Sequence, residues 1–312
     1  MILPADIRQA YQRIGQYIRA TPVVTLEASS LCDVPVTLKL EHLQHSGSFK
    51  CRGAFNTLLS NDVPAAGVVA VSGGNHGAAV AYAATQLGYK STVFVPDYAS
   101  PVKMERMRDF GADVILSGND FQSVIENFES FANETGALAV HPFDAPAVLA
   151  GQGTVALEFE QQIDDLDTVI VSVGGGGLIG GVSAWLGERV NVVAVESEGT
   201  ATYAKTLQNG KGTVITPKGI SADSLGAPRL GDLAYAALTK DKRRSIVVTD
   251  AQIITAQQRL WDVARIIGEP GAATALAALT SGAYQPRKDE RIGVLICGGN
   301  ASPDWFIVKE NP

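Results

Sequence analysis

The sequence predicts an α/β protein made of two open parallel-sheet units, the smaller inserted into the larger. Short β-rich runs alternate with helical stretches from Gly67 onward, the rhythm of strand–helix–strand units that build parallel sheets. That rhythm comes in two blocks. Sheet-like segments also lie both before Lys50 and after Ala147, so the first block interrupts a sheet that the second resumes. The larger unit is thus expected at 1–62 and 147–312 and the smaller at 67–144.

In chain order, Ile7, Tyr11, Ile14 and Ile18 repeat at helical spacing and predict an amphipathic helix over 5–19, stopped at Thr21-Pro22. An extended segment and a strand, Val36–Leu40, follow. Ala54–Leu59 continues a helix whose N-caps are expected at Ser46 or Ser48. In the smaller unit, strands are expected at 68–71, 91–95, 114–116 and 138–140. Helices are expected at 78–87, 101–110 and 120–135. In the larger unit, helices are expected at 148–162, 250–266 and 272–279, with another after the glycine run at 174–177. Strands fall at 168–173, 192–195 and 292–296, and the polar stretch 210–232 reads as surface loop.

Composition narrows the function. A chain of 312 residues that is 46% hydrophobic can bury a large core. Its net charge of −7, with both signs interspersed, argues against nucleic acid as the main partner. Its three cysteines, Cys32, Cys51 and Cys297, have no paired spacing, which points to a reducing compartment, the cytoplasm. No signal peptide or membrane-spanning run is seen, so no membrane partner is expected.

Chemistry concentrates in four loops. Lys50 opens a helix with no acid beside it, and a helix N-terminus disfavours an ammonium, so the neutral, nucleophilic amine becomes accessible. Gly174-Gly175-Gly176-Gly177 follows a buried strand and opens a helix, the makings of a phosphate cradle. Gly175, Gly177 and Gly180 also satisfy G-x-G-x-x-G, and Glu196 stands where a ribose-binding acid belongs. A nicotinamide-dependent oxidoreductase is therefore a competing reading, and a non-catalytic anion-binding module a third. Ser72-Gly73-Gly74-Asn75-His76-Gly77 is a second small-residue loop at a helix start. His76 there reads more readily as a structural hydrogen-bonding group than as a base. Cys297-Gly298-Gly299-Asn300 closes the last strand, and Cys297 is either a ligand group or a small core residue.

Taken together, Ser48-Phe49-Lys50-Cys51-Arg52-Gly53-Ala54, the 72–77 loop, the glycine run and Cys297-Gly298-Gly299-Asn300 resemble the fold type II pyridoxal-phosphate enzymes, which share the tryptophan synthase β-like fold. The resemblance is specifically to the branch of serine/threonine dehydratases and serine racemases. The match runs from near residue 7 to about Asn300. The resemblance implies that Lys50 is the catalytic residue and carries pyridoxal 5'-phosphate as a Schiff base. Phe49 would pack near the ring, and Asn75 would bond its 3-oxygen. Gly174, Gly175, Gly176 and Gly177, with the N–H of Leu178, would hold the phosphate. Cys297 would face the pyridine nitrogen as a weak thiol donor, leaving it unprotonated. Ser72, Gly73, Asn75 and His76 would hold the substrate. The implied reaction is β-elimination from a β-hydroxy amino acid such as L-threonine or L-serine, giving a 2-oxo acid and ammonia by a homodimer. Amino acid racemisation is the alternative.

Four departures from the family pattern modify that expectation. The chain stops soon after Asn300, so no regulatory extension and no end-product inhibition are expected. Thr202 replaces the second acid of a cation site whose first acid matches Glu196, so no metal is expected. Gly73 falls where the racemases carry a serine acid/base, which favours elimination. Ser224 also departs from the family's usual glycine, near the substrate side.

Overall fold

The computed structural model describes residues 2–97, 99–119, 121–240 and 243–301. Helix α1, Pro4–Ile14, turns Ile7, Ala10 and Ile14 into the core. It ends five residues earlier than its apolar spacing predicts. Gly15 caps it, and Tyr17 turns back onto the carbonyl of Ile14.

A six-stranded sheet has the order β1-β2-β10-β7-β8-β9, with strands Val23–Leu26 (β1), Val36–Lys39 (β2), Thr168–Ser172 (β7), Asn191–Ser197 (β8), Arg244–Val248 (β9) and Ile292–Leu295 (β10). Only the β1 pairing is antiparallel. Ile292 sits level with both Val36 and Thr168, so the loops that follow β2, β10 and β7 emerge side by side. A four-stranded parallel sheet has the order β5-β4-β3-β6, with strands Val68–Val71 (β3), Ser91–Val95 (β4), Asp113–Leu116 (β5) and Leu138–Ala139 (β6). Crossover helices accompany it: α2 (Lys50–Leu59) leads in, and α3 (Asn75–Gln86), α4 (Pro101–Asp109) and α5 (Phe121–Thr135) lie within it. The expected start of α5, Asp120, lies outside the described residues.

The larger unit continues through α6 (Pro146–Gln162), α7 (Gly177–Leu186), α8 (Thr202–Asn209), α9 (Ala222–Leu225), α10 (Asp232–Lys240), α11 (Asp250–Ala264) and α12 (Pro270–Thr280). Helices α6 and α7 cross closely, because a Cβ at Gly181 would stand 2.4 Å from the carbonyl of Leu149 and 2.5 Å from the amide of Gly153. The segment 210–220 is the irregular, largely exposed loop its polarity suggests, but 221–231 is not. That part contains α9, and Ser221, Leu225 and Leu230 are buried. The glycine run admits this approach: a Cβ on Gly174 would lie 2.9 Å from the carbonyl of Leu225, and one on Gly176 2.8 Å from Leu230 Cδ1.

Candidate active site

Each of the four chemistry-bearing loops follows the C-terminal end of a strand, where open α/β sheets bind ligands. The Lys50 loop leaves β2, the glycine run leaves β7, Cys297 follows β10, and the 72–77 loop leaves β3 of the second sheet. Backbone bonds clip two of them together. Phe49 N–H donates to the Cys297 carbonyl (3.0 Å), and Gly299 N–H donates to that of Gly47 (3.0 Å). Lys50 is the first residue of α2, as expected, but neither Ser46 nor Ser48 caps the helix. Phe49 occupies the N-cap position without a capping side chain, while Ser46 Oγ lies 3.0 Å from Cys51 Sγ.

These loops enclose a cavity of about 470 Å³. Of the expected residues, Lys50, Ser72, Gly73, Asn75, His76 and Gly175 line it. A larger hollow, about 500 Å³ beside Phe94 and Phe131, is open and holds no lysine or glycine run, so it is not a competing site. Lys50 Nζ donates to the carbonyl of Pro142 (2.7 Å) and lies 5.3 Å from the centre of the Phe49 ring. Burial pulls its pKa down to about 8, opposed by the nearby Glu269 carboxylate. Desolvation therefore exposes the neutral amine, where the sequence alone suggested the helix dipole. Cys297 is 2% exposed, and burial pushes its thiol well above the ordinary range, so it is neutral.

Gly175 and Gly177 are overlaid by Phe143, whose ring would lie 2.4 Å from a Cβ on Gly175. Packing thus accounts for much of the glycine run. Its geometry also leaves the N–H groups of Gly177 and Leu178 in the first turn of α7 without intrahelical acceptors. Ser72 Oγ accepts the N–H of Gly74 (3.1 Å). His76 Nε2 donates to the Val140 carbonyl (2.9 Å), and burial, with the charge of Lys50, pulls the ring down to about 3. Nε2 is thus committed to the backbone and the ring is held neutral.

Glu196 accepts from the N–H groups of Tyr203 (2.7 Å) and Ala204 (2.8 Å), and so caps α8. These bonds commit both carboxylate oxygens to the start of α8.

Sequence reasoning missed Glu269. It is buried at the N-cap of α12, and its Oε1 accepts from Asn75 Nδ2 (2.6 Å). Burial pushes its carboxyl up to about 7. The available signal was an acid directly before a helix-starting proline, which reads only as a cap. The 221–226 stretch, expected near the substrate, does line the cavity, and Asp223 at its rim pairs with Lys103 of α4, a partner the sequence did not suggest.

Comparison with known proteins agrees with this geometry. The family model described as pyridoxal-phosphate dependent enzyme matches residues 14–298. Phenylserine dehydratase of Ralstonia pickettii is 37% identical over 302 residues, covering 94% of this chain and 92% of that protein. L-threonine ammonia-lyase of Thermotoga maritima is 35% identical over 306 residues, covering 96% and 76%. Maize serine racemase superposes with a TM-score of 0.91 at 31% identity, covering 98% of this chain and 96% of that one. A buried amine near a glycine-run helix start suits an aldehyde-bearing phosphate, and the family match removes the nicotinamide reading. The chain belongs to the pyridoxal-phosphate-dependent enzymes.

Proposed function

We propose that this enzyme eliminates water from a β-hydroxy amino acid of the L-threonine or L-serine type, or one with a bulkier side chain, and releases a 2-oxo acid and ammonia. The observation that carries this reading is Lys50, whose partly neutral amine faces the 72–77 loop across one cavity. The residues fit the cofactor. Lys50 supplies the amine for its aldehyde, and the N–H groups of 174–178 and the α7 N-terminus suit its phosphate. Asn75 supplies an amide for a ring oxygen, and Cys297 a neutral thiol near the ring nitrogen. When bound, pyridoxal phosphate provides an electron sink for the charge left at the substrate's α-carbon. Lys50 Nζ takes the α-proton. The Ser72–Asn75 segment, at the positive end of α3, orients the substrate carboxylate.

Racemisation is the second reading, favoured by the close superposition on maize serine racemase. It needs a second acid/base on the face opposite Lys50. Gly73 offers no side chain there, Ser72 is engaged with Gly74, and His76 is neutral and engaged with Val140. Elimination therefore dominates. The protein is further read as a cytoplasmic homodimer with unit boundaries at 1–62 and 147–312 against 67–144. Its free cysteines agree with that compartment.

The test follows pyruvate and D-serine together from L-serine, with 2-oxo acid release from threonine and bulkier β-hydroxy amino acids alongside. Pyruvate should dominate. A Cβ on Gly73 would lie 3.4 Å from Ala99 Cβ, an ordinary contact, so Gly73→Ser should fold and raise the D-serine share. D-serine forming as fast as pyruvate in the unaltered enzyme would overturn the assignment.

A further inference from the structure

We infer that Glu269 is a positioning residue, which fixes the orientation of the Asn75 amide so that one of its N–H groups is presented to the bound cofactor. The argument starts from a chain of hydrogen bonds. Asn75 Nδ2 donates to Glu269 Oε1 (2.6 Å). Asn75 Oδ1 accepts from Asn300 Nδ2 (2.6 Å), which also donates to the Ser46 carbonyl (2.9 Å). Asn300 Oδ1 accepts from the Arg106 guanidinium.

An amide side chain can turn over, exchanging its donor and acceptor ends, and each amide here is flanked by groups that cannot. The Ser46 carbonyl only accepts and Arg106 only donates, so Asn300 has one orientation. Asn300 presents a donor to Asn75, which sets the Asn75 oxygen toward it. Glu269 Oε1 accepts from Asn75 Nδ2, which holds the Asn75 nitrogen toward it. Asn75 Nδ2 carries two hydrogens. Glu269 takes one, and Asn75 lines the cavity beside Lys50, where the other is available to a ring oxygen of the cofactor.

Two further observations separate this role from ordinary helix capping. Glu269 is the N-cap of α12, yet its carboxylate makes no capping hydrogen bond to that helix. Gly298 is also shaped around it, since a Cβ there would stand 2.2 Å from Glu269 Oε1 and 3.3 Å from Asn75 Nδ2. The carboxylate is thus buried beside the cofactor loops, 3% exposed, and bonded to a cavity-lining amide.

The inference rests on Asn75 meeting the cofactor, so the test measures cofactor binding directly. Apo-protein is titrated with pyridoxal phosphate by absorbance, with apo-protein melting temperature as the folding control. Asn75→Ala should weaken binding by about tenfold, as loss of one well-placed hydrogen bond does. Glu269→Ala should weaken it to a similar extent while the apo melting temperature holds, and Glu269→Gln, whose amide oxygen can still accept, should restore most of it. The Asn75→Ala/Glu269→Ala double variant should bind no worse than Asn75→Ala alone, because both act through one contact. Glu269→Asp keeps the charge but withdraws it by one methylene, and should resemble Glu269→Ala. This variant decides the matter if Glu269→Ala does not fold. Additive losses, a normal Glu269→Asp, or a Glu269→Gln as weak as Glu269→Ala would each overturn the positioning role. Normal binding by Asn75→Ala would overturn the contact beneath it. The elimination reading is judged separately, by 2-oxo acid release from the unaltered enzyme.

Discussion

Lys50 needs two properties that solvent would deny it together: a fixed position and a neutral amine. Its cavity supplies both, through the bond to the Pro142 carbonyl and through desolvation. The neutral fraction rises with pH through about 8, so an amine-directed reagent should label Lys50 of the apo-protein half-maximally near that pH. A half-point near the ordinary lysine value of about 10.4 would remove desolvation from the account. Lys50→Ala should abolish 2-oxo acid release and leave the circular dichroism spectrum unchanged. At Cys297 the buried thiol is neutral across the working pH range. Cys297→Ser should therefore keep kcat within roughly tenfold, about 1.4 kcal/mol of barrier. Cys297→Asp places a carboxylate near the ring nitrogen and should change both kcat and the cofactor's absorption band far more. Equal effects from the two would mean that Cys297 does not touch the ring. Residues of this kind were legible because each sits in a short run whose composition has few other uses. Glu269 was not legible, because its role depends on Asn75, 194 residues away in the chain.

At the scale of the element, α2 matters most, because it carries Lys50 and joins the two sheets. It is anchored by Arg52, fully buried and forked onto two carboxylates. Nε and Nη2 donate to Glu41 (2.8 and 2.7 Å), and Nη1 and Nη2 donate to Glu158 (3.1 and 3.0 Å). Lys39 Nζ completes the cluster 2.5 Å from Glu158. Two cations and two anions balance there, so removing one leaves a buried charge uncompensated. Arg52→Ala should cost about 3–5 kcal/mol, read as a fall in the urea midpoint of the apo-protein. Arg52→Lys keeps the charge, loses both forks, and should fall between. An unchanged midpoint for Arg52→Ala would show that water reaches the cluster. Nothing in the sequence marked this network, whose members come from three separate stretches of the chain. The reading did better with regular elements: the strands of the smaller unit appeared within a residue or so of their expected ends. It failed where exposure blurs the pattern. Strand β9 is an edge strand with Arg244 and Val247 exposed, so it lacks the continuous apolar run that revealed β7. The end of the 210–232 segment failed for the opposite reason, since few apolar residues suffice to bury 221–231 against glycines that leave room for them.

The whole molecule explains why an insertion can serve one active site. Strands β2, β10 and β7 are neighbours in one sheet and deliver the lysine, the cysteine and the glycine run to one edge. The second sheet brings the Ser72–Asn75 segment against that edge from the other side, and the Lys103–Asp223 and Arg106–Asn300 contacts join the two across the cavity. The alternation of strands and helices made both sheets legible, but not how their cores are shared. Ile14 of α1 and Phe55 and Leu58 of α2 belong to the same buried cluster as Val68 and Ala70 of β3 and Ala79, Val80 and Ala83 of α3. The four-stranded sheet lies in the chain between β2 and β7 of the other sheet, and its core is completed from outside. Ile14, Phe55 and Leu58 are each no more than 1% exposed, and full burial of such side chains contributes about 1.5–3 kcal/mol apiece. A domain's net stability is only about 5–15 kcal/mol, so losing all three is decisive. The isolated fragment 67–144 should show no cooperative thermal transition, whereas the intact protein should melt in one, with the two sheets losing structure together. Calorimetry distinguishes the cases. A cooperative melt of the fragment, or two separated transitions in the intact chain, would show that α2 does not couple the sheets. In that event the contacts across the cavity mouth would be left to hold the site closed by themselves.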